Sequence, residues 1–292
     1  MEDTFPAPNN ELSESSVVNV GKPSIRYVQA FLFVATYIGL GFILKLNPNA
    51  YLLIGIPMVV AFQLFICKKP IHAMWVREGI KFHLNKWALM IAIGLSVLPI
   101  KMIVSMIVKN QFNSIGFIYL TATVVGALGA GYAILQFTKG TLRLLLLCLA
   151  IAGGIGISMF LTVALIQSFN LQRPFSFDSL VGIKSLLVYF PVSFIIEEVV
   201  FRGAIDSHVH HPNQTKGVWS AIFVSALWGL WHLPIIPAKN FVDILGASAS
   251  LILVHTTIGI PLSIFWRRSG NLAVPALSHA FIDAIRNALG SH

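Results

Sequence analysis

Charged residues are scarce in this sequence. Only 11% of the 292 residues are Asp, Glu, Lys or Arg, where a soluble domain has about 25%, and 56% are hydrophobic. A soluble protein of this size could not keep its surface hydrated with so few charges. The mean hydropathy is +0.80, and the apolar residues fall in long runs. The composition therefore excludes a soluble enzyme, a nucleic-acid-binding domain and a disordered chain, and it predicts a polytopic membrane protein.

Cysteine is also nearly absent. The two cysteines, Cys67 and Cys148, both lie in apolar runs, so we expect no disulfide framework. The net charge of +9 takes a different meaning in a membrane protein, where Lys and Arg accumulate in cytoplasmic loops. The charge therefore does not indicate a nucleic-acid partner.

Nine apolar runs are each close to the ~20 residues that a helix needs to cross a bilayer. They predict an all-α fold, a membrane bundle of about eight or nine transmembrane helices. The ninth run is the weakest candidate because it contains several ionisable residues. The runs cover residues 27–45, 50–67, 87–108, 115–137, 143–168, 179–201, 217–236, 245–266 and 271–289.

Three regions are expected along the chain. Residues 1–26 are polar and rich in Pro, Asn and Ser, which predicts a disordered cytoplasmic tail. Residues 27–178 are predicted to form the N-terminal transmembrane helices. Residues 179–292 contain most of the chemically interesting side chains and are predicted to form the catalytic helices.

The distribution of Lys and Arg predicts the orientation. With a cytoplasmic N-terminus and nine spans, thirteen basic residues fall on the cytoplasmic side and six on the other. Thiol labelling at Lys69 and Lys239 is therefore expected to occur from opposite sides. Residues 68–86 alternate basic and apolar side chains, which predicts an interfacial amphipathic helix. The expected location is the cell membrane, or an endomembrane in a eukaryote.

Few ionisable residues fall within the apolar runs. A carboxylate at the bilayer centre costs at least about 2.5–3.5 kcal/mol, so such residues are usually functional and face an internal cavity. The acidic ones are Glu197, Glu198 and Asp283, and two of the histidines are His232 and His279. They all lie in the last four predicted helices, which makes them candidates for one polar site.

Other polar or flexible positions are interpreted as structural. His255 stands alone beside two threonines, and the three histidines at 208, 210 and 211 are interpreted as a solvated loop rather than a metal site. Glycine clusters at 126–131 and 153–156 are interpreted as sites of close helix packing.

Three short motifs in this part of the sequence resemble those of a known family. Residues 197–202 read EEVVFR and match EExxxR, residues 228–232 read WGLWH and resemble FxxxH, and residues 279–283 read HAFID and match HxxxB. Residues 268–276, RSGNLAVPA, also resemble the family. The sequence is thereby identified as similar to the CPBP family, the CAAX proteases and bacteriocin-processing enzymes, also called the Abi family, which includes the Rce1-type proteases.

The resemblance implies an intramembrane protease, a bundle of about eight helices with a cavity open to the cytoplasmic side. Glu197 would be the general base, His232 would hold the attacking water, and His279 with Asp283 would stabilise the oxyanion. Many members have Asn where this sequence has Asp283. An ionised Asp cannot donate to an oxyanion, so Asp283 is either protonated, orients His279, or serves another role such as metal binding.

The two glutamates are expected to differ in role. Glu198 and Arg202 are four residues apart, share a helix face and can pair, whereas Glu197 cannot share that partner as easily. A paired carboxylate is the poorer base. We therefore predict that Glu197 is the base and that Glu198 mainly holds Arg202 and the helix in place.

A metal remains an open alternative. His232, His279 and a glutamate are suitable zinc ligands by type, and the family is often labelled a metalloprotease, but their spacing is not a known zinc signature. No cofactor is otherwise expected. The expected partners are the lipid bilayer and a peptide or membrane-protein substrate, with no nucleic acid.

Two other functions fit parts of the pattern. A non-proteolytic membrane regulator or immunity protein could keep the fold and bind a partner such as a sensor kinase. A proton-coupled transporter also places Glu and His in membrane spans, although no internal repeat is visible.

Overall fold

The protein is described by a computed structural model that covers residues 23–77, 82–83, 85–172, 175–210, 217–237 and 240–290. The described residues are almost entirely helical, with one isolated β-bridge between Val76 and Asn271. The predicted all-α class is confirmed. The helices are α1 (Pro23–Ile43), α2 (Pro48–Ala61), α3 (Lys86–Val108), α4 (Ser114–Leu135), α5 (Lys139–Cys148), α6 (Gly154–Leu171), α7 (Ser179–Ser193), α8 (Ser207–Val209), α9 (Val218–Trp231), α10 (Phe241–Ser269) and α11 (Ala273–Leu289).

Several of these helices continue into each other without a loop. A π-helical turn, Leu149–Gly153, joins α5 to α6, and the π-helical segment Phe194–Asp206 joins α7 to α8. A further π-helical turn, Phe62–Ile66, extends α2, and a short 3₁₀ turn, Leu233–Ile235, follows α9. Apolar runs of more than 20 residues form long continuous helices of this kind because, in lipid, the backbone polar groups must form hydrogen bonds within their own segment.

Short polar side chains fix where many of the helices begin. At six helix starts, an Asn, Asp or Thr side chain accepts a hydrogen bond from a backbone N–H of the first turn, which satisfies donors that have no partner within the helix. These residues are Asn47, Asn85, Asn113, Thr138, Asp178 and Asn240.

Eight helical segments are long and apolar enough to cross a membrane: Ser24–Ile43, Pro48–Ile66, Lys86–Val108, Ser114–Leu135, Lys139–Asn170, Ser179–Val209, Val218–Ile235 and Phe241–Ser269. The prediction of a bundle with about eight or nine such helices is confirmed. The ninth run forms helix α11, which does not meet the same criterion. His279 and Asp283 lie on its buried side and Arg286 is exposed, so the helix packs within the bundle with the first two facing inward.

The helix ends form two layers. At one of them, which we call the basic end, the Arg77 amide donates to the Gly270 carbonyl at 2.7 Å, and the Asn271 side chain reaches the carbonyl of Ala133 at 2.6 Å. At the opposite end, the Asp178 amide donates to the Ala288 carbonyl at 3.0 Å, which joins the start of α7 to the end of α11.

Three local predictions need correction. Helix α1 begins at Pro23, so residues 23–26 belong to it and not to a tail. Residues 68–86 are not one amphipathic helix: the described part holds a 3₁₀ turn at Ile71–Met74 and the β-bridge, because Val76 pairs with Asn271 instead. His208 and His210 are not in a solvated loop, since His208 bonds Gln29 at 2.8 Å and His210 is buried.

Some expectations fall on positions outside the described residues, namely residues 1–22, His211 and Lys239.

Glycines of both clusters lie at close helix contacts, as predicted. A Cβ added to Gly126 would lie 2.7 Å from the Pro191 carbonyl oxygen, and one added to Gly156 would lie 2.7 Å from Ile282. Both distances are shorter than a real contact allows. These glycines therefore let α4 and α6 approach the helices that hold the candidate site.

Candidate active site

A cavity of about 500 Å³ lies within the bundle, between α7, the π-helical segment that follows it, α9, α10, α11 and parts of α2, α4 and α6. Its walls are mostly apolar, from side chains such as Leu52, Val192, Ile235 and Ile282. The polar lining side chains form one group: Asn49, Tyr119, Tyr189, Glu197, Trp228, His232, His255, His279, Asp283 and Arg286. An apolar cavity with a few convergent polar groups is the usual form of a catalytic or binding site.

The π-helical segment Phe194–Asp206 places the two adjacent glutamates in different surroundings. Glu197 points into the cavity, with 17% of its side chain exposed, whereas the Glu198 side chain is fully buried. Segments of π-helix are rare and are concentrated at functional sites. The two carboxylates therefore have different surroundings, as predicted. They lie on a π-helical segment, which the sequence did not indicate.

Glu197 lies at the centre of the polar group. Its Oε2 is 3.8 Å from Nε2 of His232 and 3.9 Å from Nε2 of His279. The same oxygen accepts a hydrogen bond of 2.8 Å from the indole Nε1 of Trp228. The two imidazoles are thus too far for direct hydrogen bonds, and the gap is of a size that one water can bridge.

The tautomer of His232 follows from its backbone contact. Its Nδ1 is 3.0 Å from the Trp228 carbonyl, which can only accept, so Nδ1 carries the proton. Nε2 is then free to accept a hydrogen bond on the side that faces Glu197. A ring held in this way presents a fixed acceptor to the cavity.

Three carboxylates surround His279. Its Nδ1 donates to Glu198 Oε1 at 2.9 Å, and its Nε2 is 3.5 Å from Asp283 Oδ2 as well as 3.9 Å from Glu197. In its doubly protonated form this ring can donate from both nitrogens. Glu198 and Asp283 therefore fix the orientation of the ring from two sides.

Glu198 and Arg202 form the predicted pair. Arg202 Nη1 lies 3.2 Å from Glu198 Oε1, the oxygen that also accepts from His279, and both side chains are fully buried. The guanidinium carbon of Arg202 lies 4.2 Å from the centre of the Trp228 ring, a cation–π contact. Neither residue lines the cavity, so both act on it through the side chains that they hold.

Sequence reasoning missed three residues. Trp228 was expected to supply only an aromatic face, but its indole binds Glu197. His255 does not stand alone: its ring lies 4.4 Å from the ring of His232 in the cavity wall, and its Nδ1 contacts the Leu251 carbonyl at 2.8 Å. Arg286 pairs with Asp283 at 2.9 Å. Only Arg286, three residues after Asp283 on the same helix, could have been found from spacing.

The donor types around Glu197 are those that zinc binds, but their arrangement does not fit a metal site. Among the described residues, no group of three or more His, Cys, Asp or Glu side chains is placed to hold a metal ion.

Fold and site together define a multi-pass membrane protein with a Glu–His centre inside the bundle. The profile of the family described as Type II CAAX prenyl endopeptidase Rce1-like matches residues 179–285. The matched segment contains all three motifs, and the resemblance to the CPBP family is confirmed for it. No curated protein and no solved structure gives a match to the chain.

Proposed function

We propose that this protein is an intramembrane endopeptidase that hydrolyses a peptide bond with a water activated by Glu197. One observation carries the proposal: a cavity-facing carboxylate oxygen lies within 3.9 Å of two imidazole nitrogens from two other helices. General-base hydrolysis needs a base and a water within one water's reach of each other. The match of residues 179–285 to a peptidase family supports the same chemistry.

In the first step, a water lies between Glu197 and His232. Glu197 takes one proton from it while Nε2 of His232 accepts the hydrogen bond of the other. The water oxygen then forms a bond to the peptide carbonyl carbon, and the carbonyl oxygen becomes an oxyanion. The 2.8 Å hydrogen bond from Trp228 holds Oε2 of Glu197, the oxygen that lies 3.8 Å from Nε2 of His232, beside this water.

His279 is placed to stabilise the oxyanion. Its Nε2–H can donate to the developing charge, and such a preorganised donor contributes about 2.7–4 kcal/mol in acyl transfer. Asp283 Oδ2 lies 3.5 Å from the same nitrogen, an ion-pair contact that can orient the ring before substrate binds. We therefore assign Asp283 to the orientation of His279.

Glu197 completes the reaction. As the carbon–nitrogen bond breaks, the protonated carboxyl group returns its proton to the leaving amine, and the second product is a carboxylic acid. Glu198 and Arg202 are positioning residues, because the first orients His279 and the second packs beneath Trp228.

Purified protein in detergent or nanodiscs, incubated with a peptide library and analysed by mass spectrometry, tests this function. We expect cleavage by the wild type, none by Glu197→Gln, and unchanged cleavage by Asp243→Asn, which removes an exposed carboxylate outside the cavity. If the wild type binds peptides but leaves them intact, a non-catalytic regulator is favoured. Cleavage that persists in Glu197→Gln would refute the mechanism.

A further inference from the structure

His255 lines the cavity beside the proposed catalytic centre, but the steps proposed above do not use it. It lies in the middle of α10, outside all three motifs. Its ring centre is 4.4 Å from that of His232, and the two ring planes are 35° apart. A third imidazole, after those of His232 and His279, therefore lies next to the nitrogen that binds the attacking water.

Close packing of α9 against α10 brings the His255 ring to this position. A Cβ added to Gly229 would lie 2.5 Å from the Leu251 carbonyl oxygen, which is shorter than a real contact allows. Glycine therefore lets the two helix backbones approach each other here. His255 follows Leu251 by one helical turn, and His232 follows Gly229 by three residues, so this approach sets one ring against the other.

The backbone fixes the tautomer of His255. Its Nδ1 lies 2.8 Å from the Leu251 carbonyl oxygen, which can only accept, so Nδ1 carries the proton. In the neutral ring, Nε2 is then a hydrogen-bond acceptor. Among the residues that the structure describes, no group donates to this nitrogen.

Two ring contacts hold His255 in place. On one side it meets the ring of Trp228, with the ring centres 4.5 Å apart and the planes at 90°, and on the other it meets His232. Together with the Nδ1 bond, these contacts fix the direction of Nε2. A preorganised acceptor loses little conformational freedom when a ligand binds to it.

A peptide brings donors into this cavity. Every residue except Pro has a backbone N–H, and an N–H that is left unpaired in apolar surroundings costs about as much as a lost hydrogen bond. The cavity walls are mostly apolar. Glu197 Oε2 already accepts from Trp228, and Asp283 is paired with Arg286.

We propose that Nε2 of His255 accepts a hydrogen bond from a backbone N–H of the peptide substrate, within two residues of the cleaved bond. An extended chain advances about 3.3 Å per residue, so a ring 4.4 Å from that of His232 reaches an N–H this close to the reacting carbonyl. His255 thereby disfavours Pro at that substrate position, because Pro has no N–H. The term substrate rests on the proposed hydrolysis, whereas the binding contact does not.

Peptide binding to a protein that does not cleave tests this contact. The full chain with Glu197→Gln is placed in nanodiscs. The probe is the library peptide that the wild type cleaves best or, if it cleaves none, the one that it binds most tightly. In a matched series of peptides, each backbone N–H in turn is replaced by an ester oxygen, which removes the donor without adding bulk, and Kd is measured by fluorescence anisotropy.

Four variants are compared in this background. His255→Phe and His255→Leu remove the acceptor, and two are used so that the failure of one to fold still leaves a result. His255→Gln places an amide oxygen near the position of Nε2 and keeps an acceptor. His72→Phe is the control, because His72 also contacts an aromatic ring, that of Phe82, but lies at the basic end outside the cavity.

We expect an ester at one position to weaken binding about tenfold when His255 is present and to have no further effect in His255→Phe or His255→Leu. These two variants should bind the unmodified peptide about tenfold more weakly, while His255→Gln restores most of the affinity and His72→Phe leaves it unchanged.

The proposal is overturned if no ester position loses its effect in the acceptor-free variants, or if His255→Phe binds as tightly as His255→Gln. In either case cleavage by the wild type would leave the proposed hydrolysis standing. A wild type that cleaves no peptide but shows the expected loss of the ester effect would refute the hydrolysis and leave the role of His255 standing. If the wild type binds no peptide, both proposals fail.

Discussion

The indole Nε1 of Trp228 donates a hydrogen bond of 2.8 Å to Oε2 of Glu197, the carboxylate that faces both cavity histidines. The family motif at this position has Phe, whose ring has the same aromatic character but no N–H. The substitution in this chain therefore adds a donor to the proposed base. It holds Oε2, the carboxylate oxygen that lies 3.8 Å from His232 Nε2 and 3.9 Å from His279 Nε2.

Trp228→Phe is expected to lower kcat about tenfold or more with little change in KM. The variant keeps an aromatic ring against Arg202 but loses a hydrogen bond to a charged group, worth about 1.5–3 kcal/mol. Peptide cleavage at saturating substrate measures the effect.

Trp266→Phe is the matched control for this change. Its indole also makes one hydrogen bond, of 3.1 Å to Ser207, but it lies at the basic end away from the cavity. We expect it to affect thermal stability but not kcat. Equal losses of kcat in the two variants would contradict a specific role for Trp228.

Glu197→Gln is expected to abolish cleavage while thermal stability stays near that of the wild type, since this side chain is partly exposed to the cavity. Glu198→Gln is expected to damage folding at least as much as rate. It removes the negative charge beside a fully buried Arg202, and breaking a buried pair costs about 3–5 kcal/mol. Thermal unfolding in detergent and kcat should be measured on the same preparations.

The structure adds a second reason for a rate defect in Glu198→Gln, because Glu198 also accepts from His279 Nδ1. Robust turnover by a folded Glu197→Gln protein, together with a stable but inactive Glu198→Gln protein, would reverse the roles of the two glutamates.

Asp283→Asn is expected to keep kcat within about tenfold of the wild type, whereas Asp283→Leu should lose about 10²-fold. The amide oxygen of Asn can still accept from His279 and Arg286, and its N–H₂ can donate to an oxyanion. Leu offers neither. Arg286→Gln, which removes the 2.9 Å ion pair but keeps Asp283, separates the effect of the pair from the orientation of His279. Full activity of Asp283→Leu would contradict this role.

Tyr51→Phe is expected to destabilise the protein by about 1–3 kcal/mol. The hydroxyl of Tyr51 donates to the buried Trp231 carbonyl at 2.6 Å, which ties α2 to the end of α9, next to His232. Without this hydroxyl, the Trp231 carbonyl loses the side-chain hydrogen bond that it accepts. The shift in thermal unfolding temperature measures the loss.

Tyr132→Phe removes the same atom from a buried tyrosine whose hydroxyl has no hydrogen-bond partner among the described residues. It should leave the unfolding temperature nearly unchanged. A large shift in this variant would show that the loss in Tyr51→Phe does not come from its hydrogen bond.

The sequence by itself determined the class of fold and the local part of the site. Long apolar runs can only be helices in lipid, because every backbone polar group must bond within its own segment. The pair between Glu198 and Arg202 follows from helical spacing alone, since residues four apart share a face. The same reasoning identified the glutamates and histidines in the spans as one candidate group.

Only the tertiary structure decided how these groups meet. Trp228 and Glu197 are 31 positions apart, and His279 and Glu198 are 81 apart, so no periodicity can pair them. The π-helix and the contact between the rings of His255 and His232 arise in the same way. Each depends on how separate helices rotate and pack against each other, and that is set by contacts over the whole bundle rather than by local spacing.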